Sequence, residues 1–388
     1  MRVILGTTAV FPFHGHGGVE KYPYYFAKSL AHEGIDVKIV SSLDNGCKRT
    51  EYFDSIRYDL IPPMVYLRKP TGPWSVLYNI SLNKYLQNES FEILHSFSTT
   101  SYVYQHFKKC PVIVQPFGLE LFTAPSIKEM KGLKKLYIDI FGKSRWYYCI
   151  QNADKIALEG DFQYNDIIEI FKINNDKIFT LPVGIDIEHI HNQIKMLKIQ
   201  RKDLGISDEE LVLISVNRFI PDKGLLYLID AFAQIQSEID AKLILIGRVQ
   251  TKFEIEYYNQ VVDSISKYNL QEKVILLKNV EEDSLYDYYI LSDIYVSPTL
   301  HDDFIMSIQE AMVCGLPIVS TGQAFSMQDT VNGYIIQKKD PNALVSSIRK
   351  LYDQNSRKKM GCESQKIVKQ FDFKIIAKLA IKQYEKMI

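Results

Sequence analysis

Two carboxylates stand close together in a segment that combines a strand, a loop and a helix. Asp302 follows a predicted strand that ends at Pro298, and Glu310 lies on a predicted helix from about Met306 to Val313, with seven residues between the two acids. A carboxylate can accept hydrogen bonds from two neighbouring hydroxyls of a ligand, and such bidentate acceptance fixes the orientation of the ligand. The alternative for Glu310 is an acid near a helix N-terminus, where the helix dipole favours negative charge.

Two cations follow another predicted strand. The strand runs from Leu211 to Val216, and Arg218 and Lys223 lie in the loop N-R-F-I-P-D-K-G that leads to the next helix. A guanidinium offers a planar fork of donors to phosphate oxygens, and an ammonium is a mobile point charge. The alternative is that both cations are solvated loop charges. The segment downstream that carries Asp302 and Glu310, here called the acidic segment, favours the phosphate role.

A glycine loop near the N-terminus joins a strand to a helix. The strand runs from Val3 to Gly6, and the loop H-G-H-G-G ends in Gly17 and Gly18. Glycines let the backbone approach an anion closely, and a helix N-terminus has free N–H groups. The loop could therefore hold a phosphate, and an ordinary tight turn is the alternative.

The chain as a whole restricts the class of protein. Its 388 residues exceed what one hydrophobic core usually supports, so we expect two domains. Lys plus Arg equals Asp plus Glu at 46 each, which gives no reason to expect a nucleic-acid partner. The five cysteines lack metal-ligand or redox spacing, so we expect no metal site and a reducing compartment. The N-terminus predicts a first strand and not a signal peptide, so we expect a cytoplasmic protein.

Strand and helix patterns alternate along both halves, which predicts parallel strands joined by crossover helices. Further strands are predicted at Val37–Val40, Glu92–His95, Pro111–Val114, Lys155–Leu158, Lys177–Leu181, Lys242–Gly247, Lys273–Lys278 and Ile294–Ser297. Further helices are predicted around Trp74–Leu86, at Pro341–Tyr352 and from Phe371-Asp372-Phe373 onward.

The run E-A-M-V-C-G-L-P, Glu310 to Pro317, together with Asp302 resembles the acidic pair and the A-M-x-C-G-x-P-V run of the family-four retaining glycosyltransferases, which have the GT-B fold. Four other segments resemble that family: Gly17-Gly18-Val19-Glu20, Leu181–Asp186, Asn217–Gly224 and Val331–Ile335. The resemblance covers nearly the whole chain, strongly from Leu211 onward and weakly before it.

The resemblance implies an α/β architecture with two Rossmann-like domains, whose parallel sheets face a central cleft. We place an acceptor-binding domain at 1–185, a linker at 186–205 and a donor-binding domain at 206–368. A terminal helix at 369–388 is expected to cross back to the first domain.

The resemblance also implies the roles of individual residues. Arg218 and Lys223 would hold the diphosphate of the donor, Asp302 would contact sugar hydroxyls, and Glu310 would bind the ribose; these four are the predicted catalytic residues. The other predicted donor-binding residues are Gly17, Gly18, Lys278, Asn279, Val280, Phe304, Ile305 and Met306.

The implied reaction is transfer from a nucleoside-diphosphate sugar, of UDP or GDP type, to a glycan or lipid-linked acceptor. The implied reaction uses no metal or other cofactor. The leaving phosphate itself takes the proton of the acceptor, while Arg218, Lys223 and the Gly17-Gly18 amides stabilise its charge. The sequence contains no convincing Ser/His/Asp or Cys/His arrangement, which agrees with a reaction that needs no protein nucleophile.

The sequence departs from the family at several places, and two of them bear on catalysis. Phe117 stands where the family has a histidine beside the donor sugar, and Asp303-Phe304-Ile305 replaces a glycine, a phenylalanine and a glycine after the acid at 302. These changes motivate an alternative, a nucleotide-sugar-binding or partner subunit that has lost catalysis. His14, His16 or His95 could replace the missing histidine, and a surface or core histidine is the favoured interpretation of each.

The glycine loop and the stretch 128–150 each allow a second interpretation. A dehydrogenase with a cofactor at the glycine loop is disfavoured, because the strand Val37–Val40 does not end in the acid that a ribose would need. The stretch 128–150 has six cations, two acids, and apolar residues at helical spacing. This pattern suits peripheral contact with a membrane through a basic amphipathic helix, or a core-packed helix with a solvated basic face.

Overall fold

The computed structural model describes residues 1–388 apart from 16, 44–46, 65–74, 118–121, 123–130, 133–134, 137, 161, 301–305 and 322–325. The chain divides into two compact units. Unit one contains Met1–Gly184 and Phe373–Ile388, and unit two contains Ile185–Asp372. The terminal segment therefore returns to unit one.

A mixed sheet forms the centre of unit one. Its strands are β1 (Arg2–Gly6), β2 (Asp36–Ser42), β3 (Arg49–Phe53), β4 (Ile56–Ile61), β5 (Ile93–Phe97), β6 (Val112–Gln115), β7 (Lys155–Leu158) and β8 (Ile178–Thr180). They lie in the order β3-β4-β2-β1-β5-β6-β7-β8. The β3–β4 pair is antiparallel and the other neighbours are parallel, as expected for strands joined by crossover helices.

A parallel sheet forms the centre of unit two. Its strands are β9 (Leu211–Val216), β10 (Ala241–Gly247), β11 (Val274–Lys278), β12 (Ile294–Ser297), β13 (Ile318–Ser320) and β14 (Gly333–Ile335). They lie in the order β11-β10-β9-β12-β13-β14, with every neighbouring pair parallel. The strands β9 and β12 are buried along almost their whole length, which explains their continuous apolar sequences.

Helices connect these strands in both units. In chain order the α-helices of the described residues are α1 (Gly18–His32), α2 (Ser75–Leu86), α3 (Lys143–Asn152), α4 (Phe162–Phe171), α5 (Ile187–Ile194), α6 (Leu225–Ile235), α7 (Lys252–Lys267), α8 (Glu282–Leu291), α9 (Met306–Val313), α10 (Pro341–Lys350), α11 (Gln354–Val368) and α12 (Phe373–Glu385). Helices α1 to α4 and α12 belong to unit one, and α5 to α11 belong to unit two.

The stretch 186–205 differs from the expected linker. Helix α5 occupies its first half, and its Ile190 is 1% exposed. The Arg201 guanidinium donates to the Leu291 carbonyl at 3.0 Å and to Asp293 at 2.8 Å. These contacts hold the stretch against the rest of unit two. The sequence does not predict these contacts, because only one side of the segment is buried and its residues are charged and unevenly spaced.

The stretch 128–150 also differs from the predicted amphipathic helix. Residues 128–130, 133, 134 and 137 lie outside the described part of the chain, and Ile138–Gly142 forms a π-helix that precedes α3. Arg145 is 9% exposed, and its guanidinium donates to the Ser75 hydroxyl and the Phe141 carbonyl. The basic face is therefore smaller than the sequence predicts. Among the described residues, no helix is long and apolar enough to cross a membrane.

The terminal helix α12 places a tyrosine in the core of unit one. The Tyr384 hydroxyl lies 2.7 Å from His95 Nδ1, and His95 Nε2 lies 3.1 Å from the Gln115 side-chain oxygen. The Gln115 amide donates in turn to the Tyr22 hydroxyl at 3.2 Å. A neutral imidazole that accepts at Nδ1 and donates at Nε2 satisfies this chain of hydrogen bonds. His95 is therefore a core histidine, the interpretation that the sequence favours.

Burial of His95 makes the free energy of unfolding depend on pH. Because desolvation disfavours the imidazolium, burial lowers the pKa of His95 from 6.5 to about 3, against the raising effect of its bond to Gln115. Below pH 6.5 the His95 imidazole takes up a proton in the unfolded chain, whereas in the folded chain it stays neutral until the pH approaches 3. The contribution of His95 to the free energy of unfolding is thus complete above that pH. It should fall by about 1.4 kcal/mol per pH unit as the pH drops toward 3.

The prediction is checked by urea unfolding at several pH values, with His95→Gln as the variant that cannot be protonated. Between pH 6 and 4.5 we expect the free energy of unfolding to change less steeply with pH in His95→Gln. The difference in slope should correspond to about one proton taken up on unfolding. Histidine ring NMR of the unmodified protein provides the control, because the His95 signal should not titrate across this range. A His95 signal that titrates near pH 6.5 would contradict the assignment.

Candidate functional site

The predicted donor-binding residues of unit two follow the carboxyl ends of adjacent strands. Strands β11, β10, β9 and β12 are neighbours in the parallel sheet, and they end at Lys278, Gly247, Val216 and Ser297. Because parallel strands end at one edge of a sheet, the loops that carry Arg218, Lys223 and Lys278 start from the same edge, as does the segment that leads to α9. In open α/β sheets this edge is where ligands bind.

The loop after β9 holds Arg218 between two anchored residues. The Asn217 backbone donates to the Ile246 carbonyl at 2.9 Å, and its side chain donates to the Ser215 hydroxyl at 3.0 Å. Phe219 is fully buried and packs edge-on against Tyr258. Arg218 itself is exposed. The fold therefore fixes the backbone on both sides of Arg218 and leaves its guanidinium in solvent, where an anionic ligand can reach it.

The same loop continues into a short 3₁₀ turn, Pro221–Lys223, which Gly224 ends in the left-handed conformation. The Asp222 carbonyl accepts from the Leu300 backbone at 2.7 Å and from the Thr299 hydroxyl at 3.2 Å. The turn that carries Lys223 is thus bonded directly to the segment that follows β12. The structure brings the start of the acidic segment and the lysine turn together at the edge of the sheet.

Glu310 lies on α9 and is 8% exposed. Its Oε2 accepts a hydrogen bond from the Tyr289 hydroxyl at 2.9 Å. Burial and the nearby Glu310 charge raise the pKa of Tyr289, so the hydroxyl keeps its proton and donates. The same two causes raise the pKa of the Cys314 thiol, which makes it an unreactive thiol beside the carboxylate.

A second tyrosine connects α9 with the end of β9. The Tyr295 hydroxyl lies 2.7 Å from the Ser307 hydroxyl and 3.4 Å from the Val216 carbonyl. Val216 is the last residue of β9, one residue before the Asn217-Arg218 pair. Tyr295 therefore ties the helix of Glu310 to the strand that leads to Arg218. Arg218 and Glu310 therefore belong to elements that are joined through the buried Tyr295 side chain.

The region predicted to contact the nucleotide base is a tight crossing between two loops. Asn279 has a φ of 53°, and its backbone donates to the Gly247 carbonyl at 3.0 Å. Its side chain accepts from the Val249 backbone at 3.0 Å, so Asn279 fixes the loop after β10. The Lys278 ammonium lies 4.7 Å from the centre of the Tyr258 ring. Val280 follows and is partly buried. The assignment of this region to base binding stays a prediction.

The remaining predicted donor residues lie elsewhere or outside the described part of the chain. Met306 is the first residue of α9 and is 8% exposed. Asp302, Phe304 and Ile305 lie outside the described residues. The glycine pair belongs to unit one, where Gly17 caps the N-terminus of α1 and Gly18 begins it. The Glu20 carboxylate lies close to Gly17, where it would collide with an added Cβ.

The residues around the missing histidine position are packed. Phe117 is 8% exposed, stacks on Phe97 at 5.5 Å between ring centres, and meets Tyr22 edge-on. His14 Nδ1 lies 3.2 Å from the Val10 backbone, and its Nε2 lies 3.4 Å from the Ser42 hydroxyl. His14 thus has local partners, and His16 lies outside the described residues.

Sequence reasoning missed the tyrosines Tyr289 and Tyr295. The sequence contains 25 tyrosines, and four of them, at 286, 288, 289 and 295, fall within ten residues of one another. Helical spacing predicts that some of these rings are buried. It does not predict which hydroxyl reaches a carboxylate on another helix, because that contact depends on how α8 packs against α9.

Two family models match the chain. The model described as Glycosyltransferase Family 4 matches residues 16–189, and the model described as Glycosyl transferases group 1 matches residues 197–367. Together they span most of both units.

Curated relatives and solved structures agree with these matches. N-acetyl-alpha-D-glucosaminyl L-malate synthase of Bacillus anthracis is 23% identical, over 96% of each chain. The UDP-Gal:alpha-D-GlcNAc-diphosphoundecaprenol alpha-1,3-galactosyltransferase of Escherichia coli is 24% identical, over 87% of this chain and 85% of its own. Sucrose-phosphate synthase from Thermosynechococcus elongatus has a TM-score of 0.81 at 19% identity, over 99% of this chain and 98% of its own. Anabaena HepE in complex with UDP-glucose has a TM-score of 0.74 at 16% identity, over the full length of both chains.

Proposed function

We propose that this chain, which belongs to the glycosyltransferases of family four and has their GT-B fold, moves a sugar from a nucleoside diphosphate to a glycan or lipid-linked acceptor with retention of the anomeric configuration. The predicted family and fold class are confirmed by the two family matches and by the solved structures. The donor type, the acceptor and the stereochemistry are parts of the proposal.

One observation carries the proposal. The turn of Lys223 is bonded to the start of the acidic segment through Asp222 and Leu300, and the helix of Glu310 is tied to β9 through Tyr295. Cationic groups and a carboxylate therefore start from one edge of the sheet of unit two. Cations suit a diphosphate and a carboxylate suits the hydroxyls of the adjoining ribose.

In the proposed mechanism the protein supplies charge and position. The bond from the anomeric carbon to the diphosphate breaks, and the acceptor oxygen forms its bond on the same face of the sugar. The proton of the acceptor passes to an oxygen of the leaving diphosphate. Arg218 and Lys223 stabilise the negative charge that grows on that group, and Glu310 fixes the ribose. The step balances without a protein nucleophile or an external base.

A nucleotide panel tests the proposal. UDP, GDP and ADP are compared for their effect on the thermal midpoint, because a ligand that binds only the folded state raises it. We expect UDP or GDP to raise the midpoint, and Glu310→Gln to reduce that shift. Relatives named for UDP-Gal and solved with UDP-glucose make UDP the first choice. Absence of any shift with all three nucleotides would contradict the proposal.

A second candidate function, a binding subunit without catalysis, has one specific observation in its favour. Phe117 stands where the family has a histidine, and its ring is buried and stacked on a neighbouring phenylalanine. Labelled donors with lipid and sugar acceptors separate the two functions. Transfer or donor hydrolysis supports the enzyme, and nucleotide binding without either supports the subunit.

Peripheral membrane contact is a further part of the proposal. Leu136, Ile140 and Phe141 are 54%, 49% and 56% exposed. Lys135 and Lys143 flank them, and both contact Asp139. Exposed apolar side chains beside cations suit the interface of an anionic bilayer, at the cytoplasmic face where a lipid-linked acceptor would lie.

Vesicle binding tests this contact. We expect the protein to cosediment with phosphatidylglycerol vesicles, and Ile140→Glu with Phe141→Glu to weaken that binding about tenfold or more, because charged groups replace apolar ones at the interface. Phe253→Glu is the matched control, since Phe253 is 58% exposed on α7 of unit two. Equal binding of both variants would show that this surface is merely solvated.

A further inference from the structure

A buried tyrosine hydroxyl braces the carboxylate that the proposed function assigns to the ribose. Tyr289 is completely buried, and its hydroxyl reaches Glu310 Oε2 at 2.9 Å and the Ser307 carbonyl at 3.3 Å. Ser307 and Glu310 are one turn apart on α9. One hydroxyl on α8 therefore spans a backbone oxygen and a side-chain oxygen of the same turn.

We propose that Tyr289 is a positioning residue, whose hydroxyl holds the Glu310 carboxylate in the orientation that receives the ribose hydroxyls of the donor nucleotide. The inference rests on the proposed function and deepens it. Tyr289 acts through Glu310 and does not itself touch the substrate.

The geometry supports positioning over simple packing. A glutamate side chain has three rotatable bonds, and ordering it on binding costs free energy that a pre-formed bond removes beforehand. A carboxylate has about four acceptor sites on two oxygens, so a bond to Tyr289 is compatible with further bonds to hydroxyls. A carboxylate that is 8% exposed also requires a donor to remain charged, and Tyr289 is such a donor.

Tyr295 has a different task that makes it a useful comparison. Its hydroxyl contacts Ser307 and the Val216 carbonyl and positions the helix as a whole. Loss of the Tyr295 hydroxyl should therefore disturb the relation of α9 to β9. Loss of the Tyr289 hydroxyl should disturb mainly the carboxylate, because its contact with Glu310 is 2.9 Å and its contact with the Ser307 carbonyl is the longer one, 3.3 Å.

The experiment compares two ligands with each variant of the full-length protein. One is the nucleoside diphosphate that binds best in the panel, and the other is its 2′,3′-dideoxy analogue, which lacks the hydroxyls that Glu310 would bind. We expect Tyr289→Phe to weaken the ribose ligand about tenfold and to leave the dideoxy ligand unchanged, since a hydrogen bond to a charged group is lost. The control is Tyr288→Phe, a buried neighbour on α8 whose hydroxyl contacts neither Glu310 nor Ser307, and it should bind both ligands normally.

A double variant separates positioning from stability. If Tyr289 acts through Glu310, Tyr289→Phe should cause no further loss of ribose-ligand affinity in a Glu310→Gln background. Equal weakening of both ligands, or an unchanged affinity for the ribose ligand, would overturn the positioning role. If the unmodified protein binds no nucleoside diphosphate at all, the proposed function fails first and the inference fails with it. Binding by the unmodified protein with no effect of Tyr289→Phe overturns only the inference.

Discussion

Replacement of Lys223 by alanine is expected to lower kcat/KM for sugar transfer by about 100- to 1,000-fold, the usual loss when one group that stabilises transition-state charge is removed. Lys223 ends the turn Pro221–Lys223 at the carboxyl edge of the sheet of unit two. Negative charge on the diphosphate grows as its bond to the sugar breaks. The loss should therefore affect kcat as well as KM.

Steady-state kinetics measures this effect, with a sugar donor that carries the nucleotide selected in the nucleotide panel. Two further variants serve as comparisons. Lys223→Arg keeps the charge and should retain more activity than Lys223→Ala. Lys252→Ala removes a lysine side chain that is 92% exposed at the start of α7, and it should leave transfer unchanged. If Lys223→Ala changes neither transfer nor the thermal shift with nucleotide, the diphosphate assignment is wrong.

The sequence predicts the elements of unit two best where burial is continuous. The bounds predicted for Leu211–Val216 and Met306–Val313 coincide with those of β9 and α9, and the strand predicted to end at Ser297 or Pro298 is β12, which ends at Ser297. Both strands lie inside the sheet, and the helix is buried on nearly every side. Apolar runs bounded by loops therefore mark their ends directly.

Elements with a solvated side are not predicted by the same reasoning. The strand β3 at Arg49–Phe53 is mostly exposed and lies at the edge of its sheet, so its charged sequence has no apolar alternation. It forms because its backbone pairs with β4 across the turn at Asp54 and Ser55, both of which have positive φ. Such pairing depends on backbone hydrogen bonds, and these leave little trace in the sequence.

The candidate site shows the same limit at the level of side chains. Residue type and the family resemblance pick out Arg218, Lys223 and Glu310 from the sequence. The partners that orient Glu310 and its helix, Tyr289 and Tyr295, come from elements that precede α9 in the chain. Their hydroxyls meet α9 only after α8 and β12 have packed, which is a tertiary event without a local sequence signal.

Gly224→Ala is expected to destabilise unit two by about 3 kcal/mol or more, because two unfavourable effects coincide. Gly224 has a φ of 64°, a conformation that costs an alanine about 1 kcal/mol. A Cβ at this position would also collide with the Pro298 carbonyl, which lies just after β12. To relieve the collision, the turn of Lys223 and the segment after β12 must move apart.

Gly205→Ala is the matched control for this effect. Gly205 has the same φ of 64°, but a Cβ there meets nothing within 4 Å. It should therefore lose only about 1 kcal/mol and keep its nucleotide affinity. Scanning calorimetry measures both stabilities, and the nucleotide titration measures the site. Since the collision separates the loops that hold Lys223 and the acidic segment, Gly224→Ala should also bind nucleotide more weakly than Gly205→Ala. Equal behaviour of the two variants would mean that contact between these loops contributes nothing to the site.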